Sequence, residues 1–171
     1  MIKKILLSFL LFTFVTGSIY SQPASDADFE NVWRDKKFSI GVGVGGRLFI
    51  PTMFILGVEI PSISYRPTEH LQLTFKSFLW SSTSFLAGYT TAWGRWRWFI
   101  EGGVNLDWLA EHPGPEYLGP EISTGAEYLI NDGFAIGLRL SSSYMFYNGK
   151  VNEWFHDRID NTLLATASFL F

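Results

Sequence analysis

The segment WRWFIEGGVNL, residues 96–106, decides the fold class because large apolar side chains alternate within it with mostly polar or small ones. The first set is Trp96, Trp98, Ile100, Val104 and Leu106, and the second is Arg97, Phe99, Glu101, Gly103 and Asn105. Successive side chains of a β-strand point to opposite faces, so the segment has one apolar face and one that carries charge. It also exceeds the ~5–6 residues of an average soluble strand. The pattern predicts a long strand that is apolar on one side.

The same alternation recurs along the chain and predicts eight strands. They are placed at residues 37–49, 53–65, 69–80, 83–93, 95–107, 120–130, 134–146 and 161–171. Most of them reach the ~9–11 residues that a tilted strand needs to cross the hydrocarbon layer of a membrane. We therefore expect an all-β fold, a transmembrane antiparallel up-and-down β-barrel of about eight strands.

The connectors between these strands alternate between two kinds. Tight turns are expected at residues 66–68, near Gly94 and at residues 131–133, and two of the other four connectors are long, at residues 107–119 and 147–160. Short turns on one rim and longer loops on the other are typical of bacterial membrane barrels. With both termini on the short-turn side, the long loops would face away from the cell.

Pro61 lies inside the second strand, where it removes a backbone donor. The apolar face is Phe54, Leu56, Val58 and Ile60 before the proline, and Ile63 and Tyr65 after it. This change of parity requires one extra residue, so we predict a β-bulge at Pro61.

The polar faces of the strands carry equal numbers of cations and anions. They are Arg47, Lys76, Arg97 and Arg139 with Glu59, Glu101, Glu121 and Glu127. An eight-stranded barrel is barely wider than its inner side chains, so these charges must pair to offset their desolvation. We expect a packed ionic lumen without a continuous water channel. Glycines at positions 41, 43, 45, 103, 125 and 137 share this face, where they either make room for long side chains or mark bends.

The composition agrees with a membrane protein that has no membrane helix. Of 171 residues, 47% are hydrophobic and 18% aromatic, yet no apolar run beyond Val15 approaches the ~20 residues of a spanning helix. Cysteine is absent, so disulfides and a lipoprotein anchor are excluded. The formal charge is −3, and without Lys3 and Lys4 it is −5, from 11 basic against 16 acidic side chains. Nucleic acid is therefore not an expected partner.

The N-terminus MIKKILLSFLLFTFVTGSIYS has the layout of a cleaved signal peptide. Two lysines precede an apolar stretch that is too short to span a bilayer comfortably, and small and polar residues follow it. We place the cut after Ser21, with a cut near Ala24 as the alternative. Export from the cytoplasm is thus expected.

The C-terminus TLLATASFLF alternates apolar residues up to a terminal aromatic, with Phe169 and Phe171 at its end. It resembles the last strand of outer-membrane proteins, which implies recognition by the barrel-assembly machinery. With the signal peptide and the strand count, residues 37–171 resemble the small eight-stranded outer-membrane barrels of the outer membrane protein A and X type. The resemblance is one of architecture, and it implies location in a bacterial outer membrane, contact with its lipid, and no particular activity.

We expect three parts along the chain: a signal peptide at residues 1–21, a periplasmic segment at residues 22–36, and the barrel. The segment QPASDADFENVWRDK is acidic and poor in apolar residues, so we expect it to be mobile.

The predicted outer loops hold the candidate recognition residues His112, Trp154, Phe155 and His156. Loops on a rigid scaffold often carry recognition, although these aromatics would also suit a membrane-interface belt. Glu111, His112, Glu116, His156 and Asp157 follow no metal-site spacing, so a solvated loop is the preferred interpretation. We predict no catalytic, cofactor or metal residue.

Three functions remain open from the residues alone. The leading one is a monomeric, non-enzymatic outer-membrane protein whose loops serve envelope integrity, adhesion or recognition of an extracellular ligand. A lipid A acyl hydrolase or acyltransferase could use His156 with Asp157 and Ser142 or Ser143, although the expected His-x-Ser pattern is absent. Passive transport of a small solute is the third function. For the fold, the alternative to a membrane barrel is a soluble lipocalin-like barrel.

Overall fold

Eight antiparallel strands form a closed barrel in the computed structural model, which describes residues 26–50, 53–78, 82–107, 117–147 and 158–171. The elements are α1 (Asp26–Asp35), β1 (Phe38–Ile50), β2 (Met53–Tyr65), β3 (Leu71–Phe78), β4 (Ser82–Trp93), β5 (Trp96–Asp107), β6 (Tyr117–Asn131), β7 (Phe134–Tyr147) and β8 (Arg158–Leu170). Each strand pairs with its neighbours in sequence, and β1 also pairs with β8, which closes the sheet. The prediction of an all-β, up-and-down barrel of eight strands is confirmed.

The predicted strand bounds are nearly correct, and the clearest errors lie at the starts of β6 and β8. These strands begin at Tyr117 and Arg158, three residues earlier than expected. Gly119 and Pro120 in β6, and the charged start of β8, have the composition of a loop but pair within the sheet. The predicted long loops were therefore too long at both places.

The two rims of the barrel differ in their connectors. The turn rim carries connectors 66–70, 94–95 and 132–133, together with the start of β1 and the end of β8. Gly94 has a φ of 55°, a left-handed conformation that glycine adopts without a steric penalty. The loop rim is the opposite end, and its connectors are residues 51–52, 79–81, 108–116 and 148–157, which lie outside the described residues.

A β-bulge interrupts β2 at Pro61, as the change of parity predicted. Glu59 pairs with Gly43 and Ser62 pairs with Gly41, so three steps along β2 match two steps along β1. The same shift appears against β3. Because of the extra residue, Glu59 and Ser62 both lie buried on the inner face of the barrel.

The outer surface of the barrel is apolar and the inner surface is polar. Val42, Trp98, Ile136 and Leu138 are 40–61% exposed, whereas Arg97, Glu101 and Arg139 are 2–4% exposed. A soluble barrel buries its apolar face, while a membrane barrel turns that face toward lipid. The soluble lipocalin-like alternative is therefore excluded.

Aromatic side chains ring the turn rim on the outside. Tyr65, Trp93 and Trp96 are exposed there, and the rings of Trp96 and Tyr128 form an edge-to-face pair with their centres 5.0 Å apart. Such amphipathic rings suit the headgroup zone of a bilayer. Toward the loop rim, Tyr144 is exposed in β7, whereas Trp80 and Trp108 lie outside the described residues.

The expectation of a mobile N-terminal segment is wrong for residues 26–35, which form α1. Phe29 and Trp33 stand four residues apart on one face of the helix, and both are buried against Leu129, Ala135 and Leu170. These three partners belong to the inner face of the barrel near the turn rim. The helix forms because this apolar pair docks there, since a ten-residue helix alone is marginal in water. Within the described ranges, no helix has the length and apolar content needed to cross a bilayer.

Candidate functional site: the packed lumen and its two closures

All eight charged residues expected on the inner faces lie inside the barrel, each no more than 5% exposed. They are Arg47, Glu59, Lys76, Arg97, Glu101, Glu121, Glu127 and Arg139. Three of the four cations lie within salt-bridge distance of one of these glutamates. The lumen is therefore filled by charged side chains, six of which form three ion pairs with each other.

The Arg139–Glu59 pair joins β7 to β2 across the lumen. Arg139 Nη1 donates to Glu59 Oε1 at 2.7 Å and to Ser62 Oγ at 2.9 Å. The guanidinium also lies 5.2 Å from the centre of the Phe99 ring. The bulge at Pro61 is what brings both β2 acceptors onto the inner face. Arg139 is thus held by two hydrogen bonds and a cation–π contact.

Lys76 and Glu121 form a second pair, surrounded by hydroxyl groups. Lys76 Nζ lies 2.6 Å from Glu121 Oε1 and donates to Ser141 Oγ at 2.7 Å. Ser84 Oγ donates to Glu121 Oε2 at 2.6 Å, and Ser141 is also bonded to Ser123 at 3.1 Å. This network links four strands and leaves no acceptor of Glu121 unpaired.

The Arg97–Glu127 pair lies next to the helix. Arg97 Nη2 donates to Glu127 Oε2, and Glu127 Oε1 accepts a longer bond of 3.4 Å from Ser168 Oγ. The Arg97 guanidinium lies 4.6 Å from the centre of the Trp33 ring. The pair therefore connects the charged lumen to the aromatic residue that closes it.

Glu101 is bonded to neutral side chains. Its Oε1 accepts from Gln72 Nε2 at 2.9 Å and from Thr74 Oγ1, and within the described residues no cation lies within 4 Å of it. The four cations and four glutamates therefore do not pair one to one, because Arg47 binds two aspartates instead of a glutamate.

Arg47 belongs to a cluster of two arginines and two aspartates at the loop rim, which sequence reasoning missed. Arg47 Nη2 lies 2.7 Å from Asp160 Oδ2 and 3.1 Å from Asp107 Oδ2, and Nη1 donates to Ser82 Oγ at 2.9 Å. Arg158 donates to Asp107 and, from Nε, to Asp160 Oδ1 at 3.0 Å. We name these four charged residues the loop-rim cluster. The sequence could have predicted the two aspartates, because the period-two alternation of β5 and β8 places Asp107 and Asp160 on the inner face.

Some inner-face glycines make room for long side chains, and the first of the two interpretations holds for them. A Cβ at Gly125 would stand 2.5 Å from the tip of the Phe99 ring, and one at Gly137 would stand 2.8 Å from Cγ of Glu127. At both positions a backbone carbonyl oxygen of the neighbouring strand lies as close, at 2.4 Å, and at Gly103 the obstacle is the backbone of β4 alone. The glycines therefore serve both the packing of the lumen and the close approach of strands.

The helix α1 closes the turn-rim end of the lumen. Besides its buried aromatic pair, Glu30 Oε1 accepts from the backbone N–H of Gly94 at 3.1 Å. The Arg95 guanidinium lies 3.8 Å from the centre of the Phe29 ring. Both contacts hold the helix to the β4–β5 turn. The helix is therefore fixed at this turn as well as by the buried contacts of its aromatic pair inside the barrel.

The remaining predicted site residues are either exposed or undescribed. Phe169 and Phe171 lie exposed at the end of β8, and Phe169 packs on Phe134 with ring centres 5.2 Å apart. The recognition candidates His112, Trp154, Phe155 and His156 lie outside the described residues, as do the weighed metal ligands Glu111, Glu116 and Asp157. Within the described ranges, no three metal-ligating side chains are grouped to hold an ion.

Comparison with known proteins identifies the architecture. Neisserial surface protein A has a TM-score of 0.54 at 14% identity, over 78% of this chain and 97% of that one. The outer membrane protein OprG from Pseudomonas aeruginosa has a TM-score of 0.54 at 8% identity, over 81% and 97%. A de novo designed transmembrane β-barrel has a TM-score of 0.51 at 10% identity, over 80% and 96%.

These similarities concern the fold alone, given the low identities. The expected resemblance to small eight-stranded outer-membrane barrels is confirmed at that level. The sequence matches no protein-family model and no curated protein.

Replacing Arg139 by Met tests the energetic role of the ion pairs. The substitution leaves the Glu59 carboxylate buried without its cation, so we expect the free energy of unfolding to fall by ~3–5 kcal/mol. Replacing both Arg139 and Glu59 by Met removes the unpaired charge and should recover most of that loss. Denaturant titration of the folded protein in lipid vesicles measures the free energy of unfolding of the unaltered chain, the single variant and the double variant.

The matched control is Arg34→Met, which breaks the exposed contact of Arg34 with Glu69 at 3.9 Å. Exposed pairs contribute ~0–1 kcal/mol, so this variant should unfold almost like the unaltered protein. If Arg139→Met behaves like Arg34→Met, the lumen charges are hydrated rather than packed.

Proposed function

We propose that this protein is a non-enzymatic, non-conducting anchor in a bacterial outer membrane that holds two long loops at the cell surface. The loops are residues 108–116 and 148–157 of the loop rim, and their role is envelope integrity, adhesion or recognition of an extracellular ligand. The observation that carries the proposal is the lumen, which is packed with ion pairs, covered by α1 at the turn rim and occupied by the loop-rim cluster at its other end.

A closed lumen favours an anchor over a pore. An ion that crossed the barrel would have to displace the Lys76–Glu121 and Arg139–Glu59 pairs and then pass α1. Breaking a buried pair costs several kcal/mol because each charge is left without water or a partner. Passive transport of a hydrated solute would need an open path, and the burial of the lumen charges among the described residues argues against one.

The loop-rim cluster supports a role in holding the loops. Asp107 is the last residue of β5, immediately before loop 108–116, and Arg158 is the first residue of β8, immediately after loop 148–157. Arg158 donates to Asp107, so the start of loop 108–116 and the end of loop 148–157 are joined by a part-buried contact. A rigid base of this kind is what recognition loops require.

The location in an outer membrane rests on the apolar outer surface, the fold and the proposed signal peptide. In this orientation the turn rim and α1 face the periplasm, and the loop rim faces the medium. The terminal residues Phe169 and Phe171 would then serve as the signal for the barrel-assembly machinery. The protein would work as a monomer without a cofactor.

Single-channel recording tests the closed lumen. The folded full chain, inserted in a planar phospholipid bilayer, should give no steady current, while a bacterial porin in the same membrane gives its usual conductance. The double variant Phe29→Ala/Trp33→Ala, which undocks α1, should also stay silent because the ion pairs still fill the barrel. Steady ohmic conductance from the unaltered chain would contradict a non-conducting anchor.

Trypsin treatment of intact cells tests the location and orientation together. Lys150 is the only Lys or Arg in the loop-rim connectors, so external trypsin should cut the chain after it and leave Lys36 and Lys37 intact. The variant Lys150→Gln removes that site and should resist. Cleavage after Lys150 only in permeabilised cells, or cleavage at Lys36 or Lys37 in intact cells, would refute the proposed orientation.

A further inference from the structure

Between α1 and the turn rim lies a cavity of about 150 Å³ with several arginines in its lining. Arg34 and Trp33 reach it from α1, Arg66 from the β2–β3 connector, and Arg97 from β5. Its volume far exceeds the ~10–15 Å³ that one enclosed water requires. The cavity adjoins the Arg97–Glu127 pair at the turn-rim end of the lumen and is separate from the surface loops discussed above.

Arg66 is the unusual residue of this cavity. It is 3% exposed, and its Nη2 donates to the backbone carbonyl of Lys36. Its Nε and Nη1 have no hydrogen-bond partner, and within the described residues no carboxylate lies within salt-bridge distance. Burying a cation without a counter-charge raises the free energy of the folded protein, so an anion bound at this position would stabilise it.

Two further groups that line the same cavity also have unused donors. Arg97 Nε and Nη1 are buried without a partner, because only its Nη2 reaches Glu127. The indole Nε1–H of Trp33 is buried and unpaired as well. Buried polar groups in proteins are nearly always hydrogen-bonded, so three side chains with unpaired donors around one cavity favour the binding of an acceptor there.

The acidic residues around the cavity are already engaged. Glu30 accepts from the backbone N–H of Gly94, and Glu69 lies 3.9 Å from Nε of Arg34. His70 is held in place by its Nδ1 contact with the Thr90 carbonyl, at 3.3 Å, and by stacking on Tyr89. Neither carboxylate lies within salt-bridge distance of Arg66.

We infer that this cavity binds a phosphate group, with Arg66 as its principal ligand and Arg97 and Trp33 as further donors. Guanidinium groups bind phosphate through paired N–H donors, and a tetrahedral oxyanion offers acceptors in several directions at once. The phosphate can come from solution or from the headgroup of a lipid in the leaflet next to the turn rim. Because the ligand touches α1, the connector at Arg66 and β5 together, its binding also fastens the helix to the barrel.

The test uses the folded full chain in maltoside micelles, which contain no phosphate, and follows the ¹⁵N-bound protons of arginine Nε and tryptophan Nε1. One titration adds inorganic phosphate, a second adds phosphatidylglycerol to the micelles in phosphate-free buffer, and a third adds chloride at equal ionic strength. We expect the Arg66 and Trp33 signals to shift and saturate with at least one phosphate source but not with chloride. Saturation by inorganic phosphate identifies the free anion as a ligand, and saturation by the lipid alone identifies the headgroup.

The variants Arg66→Gln and Lys37→Gln separate a site from general attraction. Lys37 is an exposed cation at the same rim and does not line the cavity. Loss of a charged hydrogen-bonding partner should weaken phosphate binding by about tenfold to hundredfold in Arg66→Gln, read from the Trp33 signal. Lys37→Gln should bind like the unaltered chain. The inference is overturned if neither source shifts the two signals beyond the chloride effect, or if both variants weaken binding equally.

Discussion

The hydrocarbon core of a membrane offers no hydrogen-bonding partner, and this constraint governs the whole molecule. Every backbone N–H and C=O of a spanning strand must find its partner within the protein, so a sheet can cross a membrane only when it has no free edge. The pairing of β1 with β8 supplies that closure. Eight strands then enclose a lumen that is barely wider than its side chains.

Closure also determines where polar side chains can go. Charged residues on the outer face would meet lipid, so the period-two pattern places them inside, where each needs a partner. The partners are remote in sequence: Arg139 reaches Glu59 across 80 positions, and Arg47 reaches Asp160 across 113. A slip of one residue in any strand would exchange its inner and outer side chains. The ion pairs therefore fix the register of the barrel and fill the path that a solute would take.

Alternation was sufficient to predict the strands, their order and the bulge at Pro61, because side-chain direction in a strand depends only on local geometry. Which inner charges pair was beyond the sequence, because in a narrow lumen side chains from many strands come within reach of each other. Arg47 was therefore assigned to the same set as Glu101, although it binds two aspartates at strand ends that resembled loops. The helix was missed because its acidic composition concealed the spacing of Phe29 and Trp33.

The unused donors of Arg66 also depend on the fold, since nothing near this residue in sequence marks a buried, unpaired cation. The burial of Arg66 can be recognised only in the folded protein, where α1 covers the turn rim. The two ends of the barrel thus differ in chemistry: arginines paired with aspartates lie at the loop rim, and a helix beside a cavity lined by arginines covers the other end. Such an asymmetry suits a protein that faces two different compartments.

A barrel that spans a membrane is defined by which side chains meet lipid, and spin-label accessibility measures this directly. The chain contains no cysteine, so single cysteines can be placed at positions 136–141 of β7 and labelled without background. In phosphatidylcholine bilayers, dissolved oxygen should relax the labels at 136, 138 and 140 strongly and those at 137, 139 and 141 weakly, which gives a period of two. Equal accessibility at all six positions, or the opposite phase, would contradict a barrel with its apolar face toward lipid.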